Sequence, residues 1–148
     1  MTGEFFLILI PIIVGLITQT TKFVIFSFKN GIKWNYLLTH GHMPSFHSAL
    51  VSSLALTIGY MDNFQGSAFL ISLIIGLIFI DDALRIRMYL GDQGRYLNML
   101  VQTLKLDTKK YPRLKERVGH RTSEVIVGII MGLGLTLILL KLYEIYFP

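Results

Sequence analysis

Four stretches of the chain are almost wholly apolar, and polar residues gather between them. The first runs from about residue 5 to 28, beginning FFLILIPIIVGLITQTTKFVIF, and the second, about 44–60, is shorter and rich in serine. The third, about 67–87, opens SAFLISLIIGLIFI and ends in charge; the fourth, about 122–143, contains VIVGIIMGLGLTLILL. Roughly 20 apolar residues are what a helix needs to cross a hydrocarbon core about 30 Å thick. Helices are required, because four strands cannot close a barrel and a helix satisfies its own backbone polar groups in lipid. The pattern predicts an all-α polytopic membrane protein, a four-transmembrane-helix bundle with residues 1–148 as a single membrane domain. The repeated glycines of the fourth stretch permit close helix approach. The opening MTGE carries no cation and no small-residue cleavage site follows, so the first stretch reads as a span rather than a cleaved signal.

Between the third and fourth stretches, Leu97, Leu100, Val101 and Leu104 recur at i, i+3, i+4 and i+7, with Arg95, Gln102 and Lys105 around them. That spacing predicts a short amphipathic helix lying on the membrane surface. The following DTKKYPRLKERVGH is polar and basic, and Pro112 breaks any continuing helix.

Composition narrows the class. The chain is 53% hydrophobic and 16% charged, with a mean hydropathy of +0.59. A soluble domain carries about 25% charged residues, so the composition argues against an ordinary soluble enzyme. With no cysteine, disulfides, thiolate metal sites and cysteine nucleophiles are excluded too. A net charge of +5 and a pI near 9.6 would suggest nucleic acid in a soluble chain. Here the cations sit in loops: Lys29 and Lys33 after the first stretch, and Arg85, Arg87, Arg95, Lys105, Lys109, Lys110, Arg113, Lys115, Arg117 and Arg121 between the third and fourth. The partner this implies is the lipid bilayer and its anionic head groups, with no nucleic acid. The turn MDNFQG has one Asp and no cation, so the positive-inside rule places both basic loops in the cytoplasm and both termini outside.

Under that topology four polar clusters fall on one side of the membrane. Lys22 stands in the last third of the first span, three residues beyond Gln19 on the same face. HMPSFHSAL opens the second span, Asp81, Asp82, Arg85 and Arg87 close the third, and GHRTSE opens the fourth. Pro44 suits a helix start, after which Ser45, Phe46, His47 and Ser48 would offer free N–H groups to an anion. Glu124 lies one turn after His120 and can hold one imidazole nitrogen, leaving the other as a nucleophile. Lys22, Arg85 and Arg87 are cations for a phosphate. Each feature also has a plainer reading: Lys22 can snorkel, single arginines can anchor a span, and Ser45 and Ser48 can serve helix packing. Asp82 can pair with an arginine one turn on.

At PSFHS and GHRTSE the chain resembles the divergent, small-membrane-protein branch of the type 2 phosphatidic acid phosphatase and vanadium haloperoxidase superfamily. The superfamily carries K-x-x-x-x-x-x-R-P, P-S-G-H and S-R-x-x-x-x-x-H-x-x-x-D. Pro44-Ser45-Phe46-His47 matches the second with Phe for Gly, and His120 with Glu124 matches the end of the third with Glu for Asp. Lys22 falls where the first lysine would, but Lys29 and Asn30 replace the arginine and proline. The branch's G-M-P-S-S-H-S-A is echoed by residues 42–49, and its D-A-x-x-V-R-R-x-x-G-x-Q-A-x-x-L-N by Asp82, Ala83, Arg87, Gly91, Gln93, Leu97 and Asn98. The third motif's arginine would fall on Leu114; Arg87 takes its place, with residues 89–118 as a cytoplasmic insertion and Arg113 and Arg117 as competitors. His40 and His42 have no counterpart.

The resemblance implies a membrane phosphatase acting on a lipid phosphate monoester or polyprenyl diphosphate through a phosphohistidine, with no metal or other cofactor. It implies His120 as nucleophile, Glu124 as its orienting group and His47 as general acid. Lys22, Ser45, the Phe46 backbone, Arg87 and Arg85 would hold phosphate oxygens, supported by Asp82 and Ser48. A homodimer covering so small an enclosure is compatible with four spans. Two rival readings stand beside it. One is a lipid-phosphate-binding or transport protein without chemistry. The other is a metal-dependent enzyme using His40, His42, His47, His120 and Asp81 or Asp82, for which no H-E-x-x-H motif is present.

Overall fold

A computed structural model describes residues 2–32, 43–116, 118–119 and 121–147, and every regular element among them is helical. Helix α1 spans Thr2–Asn30, α2 Phe46–Asp62, α3 Ser67–Asp81, α4 Arg87–Thr103 and α5 Thr122–Tyr146. A five-residue π-helical turn, Asp82–Ile86, joins α3 to α4 without a break. Three helical stretches are long and apolar enough to cross a membrane: Phe5–Phe28, Ser67–Thr103 and Thr122–Tyr146.

Two expectations change here. The helix of the third stretch does not stop at residue 87 before a separate helix; Ser67–Thr103 is one continuous 37-residue helix, about 55 Å long at 1.5 Å per residue. Nothing between Ile80 and Leu90 breaks a helix, since the stretch holds no glycine or proline. Second, Pro44 lies outside α2. Ser45 takes the N-cap position, where a serine hydroxyl is favoured, and the helix begins at Phe46.

Helix α2 is the centre of the bundle, packing against α1, α3 and α5, while α1 also packs against α5. Its buried side is small and polar: Ser48, Ala49, Ser53, Ala55, Thr57 and Gly59. The matching face of α5 carries Gly128, Gly132 and Thr136 at four-residue intervals, all buried. A Cβ on Gly132 would stand 2.5 Å from the Ala49 carbonyl oxygen, so the bare α-carbon is what lets the helices meet. One turn on, the Thr136 hydroxyl lies 2.6 Å from that of Ser53. Leu7, Ile10 and Val14 of α1 close the core with Ala49 and Leu140. The large apolar residues face outward instead: on α3, Leu70, Ile71, Leu73, Ile74, Ile75, Leu77, Ile78 and Phe79 are 41–61% exposed. Small and polar inside with large and apolar outside is the arrangement of helices packed in lipid. This is a multi-pass membrane protein.

Beyond the π turn the packing changes partner. Residues 114–116, 118 and 119 run back along α4. A Cβ on Gly94 would stand 2.6 Å from the Lys115 carbonyl oxygen, and one on Gly91 2.7 Å from that of Glu116. Asn98 holds the same segment by its side chain. Its amide nitrogen donates to the Leu114 carbonyl and to Glu116 Oε1, and its oxygen accepts from Leu114 N–H, each at 2.9 Å. Arg113 adds a 3.0 Å ion pair to Glu116. Together Asn98 and Arg113 keep the Glu116 carboxyl below the usual carboxylate range. Gly91, Gly94 and Asn98 are thus buried, whereas Leu97, Leu100 and Leu104 of the predicted amphipathic stripe are exposed.

Candidate functional site

The second and fourth sequence clusters meet where α2 and α5 begin. Ser45 N–H donates to the Glu124 carbonyl oxygen at 3.1 Å, tying one helix start to the other. The same serine caps α2: its Oγ accepts from Ser48 N–H at 3.4 Å and from the Ser48 hydroxyl at 2.9 Å. Gly128 completes the junction, since a Cβ there would stand 2.5 Å from the Ser45 carbonyl oxygen. Two of the N–H groups expected to be free for an anion, those of Ser45 and Ser48, are therefore engaged within the protein. The cause is local: a serine at the N-cap satisfies its own helix start.

Glu124 is the third residue of α5 and 5% exposed. One carboxylate oxygen accepts the backbone N–H of Arg121, the N-cap residue, at 3.2 Å, which is the return half of a capping box. Lys22 of α1 is buried to 3% exposure and interacts electrostatically with Glu124. A buried ammonium requires such a counter-charge, because an unpaired ion in a low-dielectric interior is costly. The Lys22 side chain lies inside the bundle rather than on the outer surface. Three helices thus contribute Lys22, Ser45, Ser48 and Glu124 to one buried polar cluster at one end of the bundle.

Phe46, which stands where the superfamily motif has glycine, turns its ring toward α1. A Cβ on Gly15 would lie 2.9 Å from Phe46 Cε2, so Gly15 provides the notch that receives it. His47 is half-buried and packs edge-on against the Phe46 ring, centroids 5.4 Å apart.

The third cluster divides. Arg87 Nε donates to Asp82 Oδ2 at 2.8 Å, both side chains about a third exposed. The pair is five residues apart, and the Arg87 backbone N–H also reaches the Asp82 carbonyl. An α-helix aligns residues four apart, but a π turn brings i and i+5 onto one face. Arg85 pairs with Asp81 and is 69% exposed, apart from the buried cluster. Gly119 connects the third cluster to the fourth: a Cβ on it would stand 2.9 Å from the Met88 backbone nitrogen, next to Arg87. Arg113 pairs with Glu116 on the exposed loop. His120, Arg117, His40 and His42 lie outside the described residues.

Some of this is visible in the sequence only afterwards. Gly91, Gly94 and Asn98 share one face of a predicted helix, which is the mark of a backbone crossing it. The π turn has a fainter sign, an Asp and an Arg five residues apart.

The fold and the cluster define a class: a small multi-pass helical membrane protein whose helix starts gather buried charge at one end. Residues 4–135 match the divergent PAP2 family. An uncharacterized membrane protein of Bacillus subtilis strain 168, YuiD, is 31% identical over 120 residues, covering 73% of this chain and 76% of the relative. No solved structure matches. The chain belongs to the divergent PAP2 family.

Proposed function

We propose that this protein is a membrane lipid phosphatase that removes phosphate from a lipid phosphate monoester or a polyprenyl diphosphate through a phosphohistidine. One observation carries the reading: Lys22, Ser45 and Glu124, which match three separate superfamily motifs, converge from three helices into one buried cluster. In the proposed reaction a His120 nitrogen attacks phosphorus and the P–O ester bond breaks. His47 gives its proton to the departing alkoxide. Water then gives a proton to His47 and attacks the phosphohistidine, the N–P bond breaks, and inorganic phosphate leaves. Glu124 holds the histidine, and Lys22 and Arg87 face the non-bridging oxygens. Fixed positive charge and positioning are the main contributions a protein makes to such transition states.

The proposal extends to topology. Helix α2 is the fourth crossing; its 17 residues span about 25 Å, and its neighbours shield the polar face. The basic loops, and with them the cluster, lie on the cytoplasmic side.

The purified protein should release phosphate from a lipid phosphate in excess EDTA, be inhibited by vanadate, and lose about a thousandfold or more of its activity in His120→Ala. Activity that disappears on chelation and returns with zinc would overturn the mechanism. The internal bonding of Ser45 and Ser48 N–H, with Phe46 in the glycine position, favours a second reading as a lipid-phosphate carrier. Binding without turnover, unchanged in His120→Ala, would select it.

A further inference from the structure

The insertion after Arg87 is more than a loop. Its helical half, α4, and its returning half, residues 114–116, 118 and 119, are fitted to each other along their length. Gly94 accepts the backbone at Lys115, Gly91 at Glu116 and Val118, and Met88 lies under Gly119. Asn98 anchors the far end with an amide side chain that can donate to a carbonyl and accept from an N–H at once, and it does both to Leu114. The described residues of the returning segment, 114–116, 118 and 119, are therefore set in register along α4, from Asn98 down to Met88. At its end, Gly119 is held against Met88 and Arg121 N–H is held by Glu124. Those are the two chain neighbours of His120.

We infer that α4 is a splint: Gly91, Gly94 and Asn98 register the returning strap so that the residues flanking His120 are held beside Arg87 and Glu124. Asn98, some 20 residues from the histidine in sequence, is a positioning residue and touches no substrate. The inference rests on the phosphatase reading for its effect on turnover, but the splint is testable without turnover. It also explains why an arginine and a histidine can act together across a 30-residue insertion.

The test uses the full-length protein in detergent. Asn98→Ala should lower kcat about 10–100-fold while leaving KM for the lipid phosphate within about twofold, because a small displacement of a reacting group penalises the chemical step. The thermal transition of the bundle should hardly move. Asn98→Asp faces Glu116 with a second carboxylate and should be as impaired; adding Glu116→Gln returns a donor and should recover part of kcat. Independently, hydrogen exchange at the Leu114 and Arg121 amides should be slow in the wild type and faster at both in Asn98→Ala. Faster exchange at Leu114 with Arg121 unchanged would overturn the splint, as would a variant whose KM rises while kcat holds. If the wild type shows no turnover, the phosphatase reading fails alone, and the two amides still decide the splint.

Discussion

Two regions of this molecule bring backbones into contact over glycine, and they do so with different partners. In the α2–α5 seam, Gly128 and Gly132 admit Ser45 and Ala49 of another helix. In the splint, Gly91 and Gly94 admit the extended chain at 115 and 116. A helix has already satisfied its backbone, so the seam needs only small residues and a few hydroxyls, such as the Ser53–Thr136 contact. An extended chain has not, so the splint needs Asn98 to supply the missing donors and acceptor. The comparison teaches that glycine grants proximity, while the polar partner beside it decides what can use that proximity.

The seam should govern stability and the splint should govern position, and this division can be broken experimentally. The largest effect belongs to the buried pair at the top of the seam. Lys22→Met leaves Glu124 without its counter-charge and should cost about 3–5 kcal/mol; Lys22→Met with Glu124→Gln should recover part of the loss. A double variant as unstable as the single would mean that the two charges are not coupled. Next, Gly132→Ala drives a methyl into the Ala49 carbonyl and should cost about 1–3 kcal/mol by thermal unfolding in detergent. Gly134→Ala, which has nothing within 4 Å, is the control and should melt like the wild type. Thr136→Val removes the hydroxyl contact to Ser53 and should cost about 0.6–1.5 kcal/mol.

The smallest effect is a pH dependence confined to the splint. Glu116 titrates lower in the folded protein than in the unfolded chain, because Asn98 and Arg113 stabilise its charged form. A lowered carboxyl contributes its stability in full above its unfolded value and loses it as pH falls through its folded value. Protection of the Leu114 amide should hold from neutral pH down to the ordinary carboxylate range and decline on further acidification. The same protection in Glu116→Gln should lack that decline. A bundle that melts in step with Leu114 would merge the two regions.

Much of the seam was legible in the chain. Four apolar stretches, the turn between the second and third, and the closely spaced glycines of the last all have structural counterparts, because lipid imposes length and hydropathy on each segment separately. The helix of the third stretch runs on past the predicted span, to Thr103, for a physical reason. A change from apolar to charged residues marks where a helix leaves the hydrocarbon, not where it ends, and no breaker follows Asp82. Among the candidate site residues, Ser45, Lys22 and Glu124 lie together, whereas Arg85 stands outside in an exposed pair with Asp81. Arginine spacing does not distinguish Arg85 from Arg87, and the π turn does.

Residue order and hydropathy alone determined that this chain is helical and membrane-embedded, since those properties are sums over local stretches. Tertiary structure decided which glycines meet which backbones and that the Ser45 N–H is engaged by Glu124. Such pairings depend on distances between residues far apart in the chain, and a contact between two segments is a property of neither one by itself.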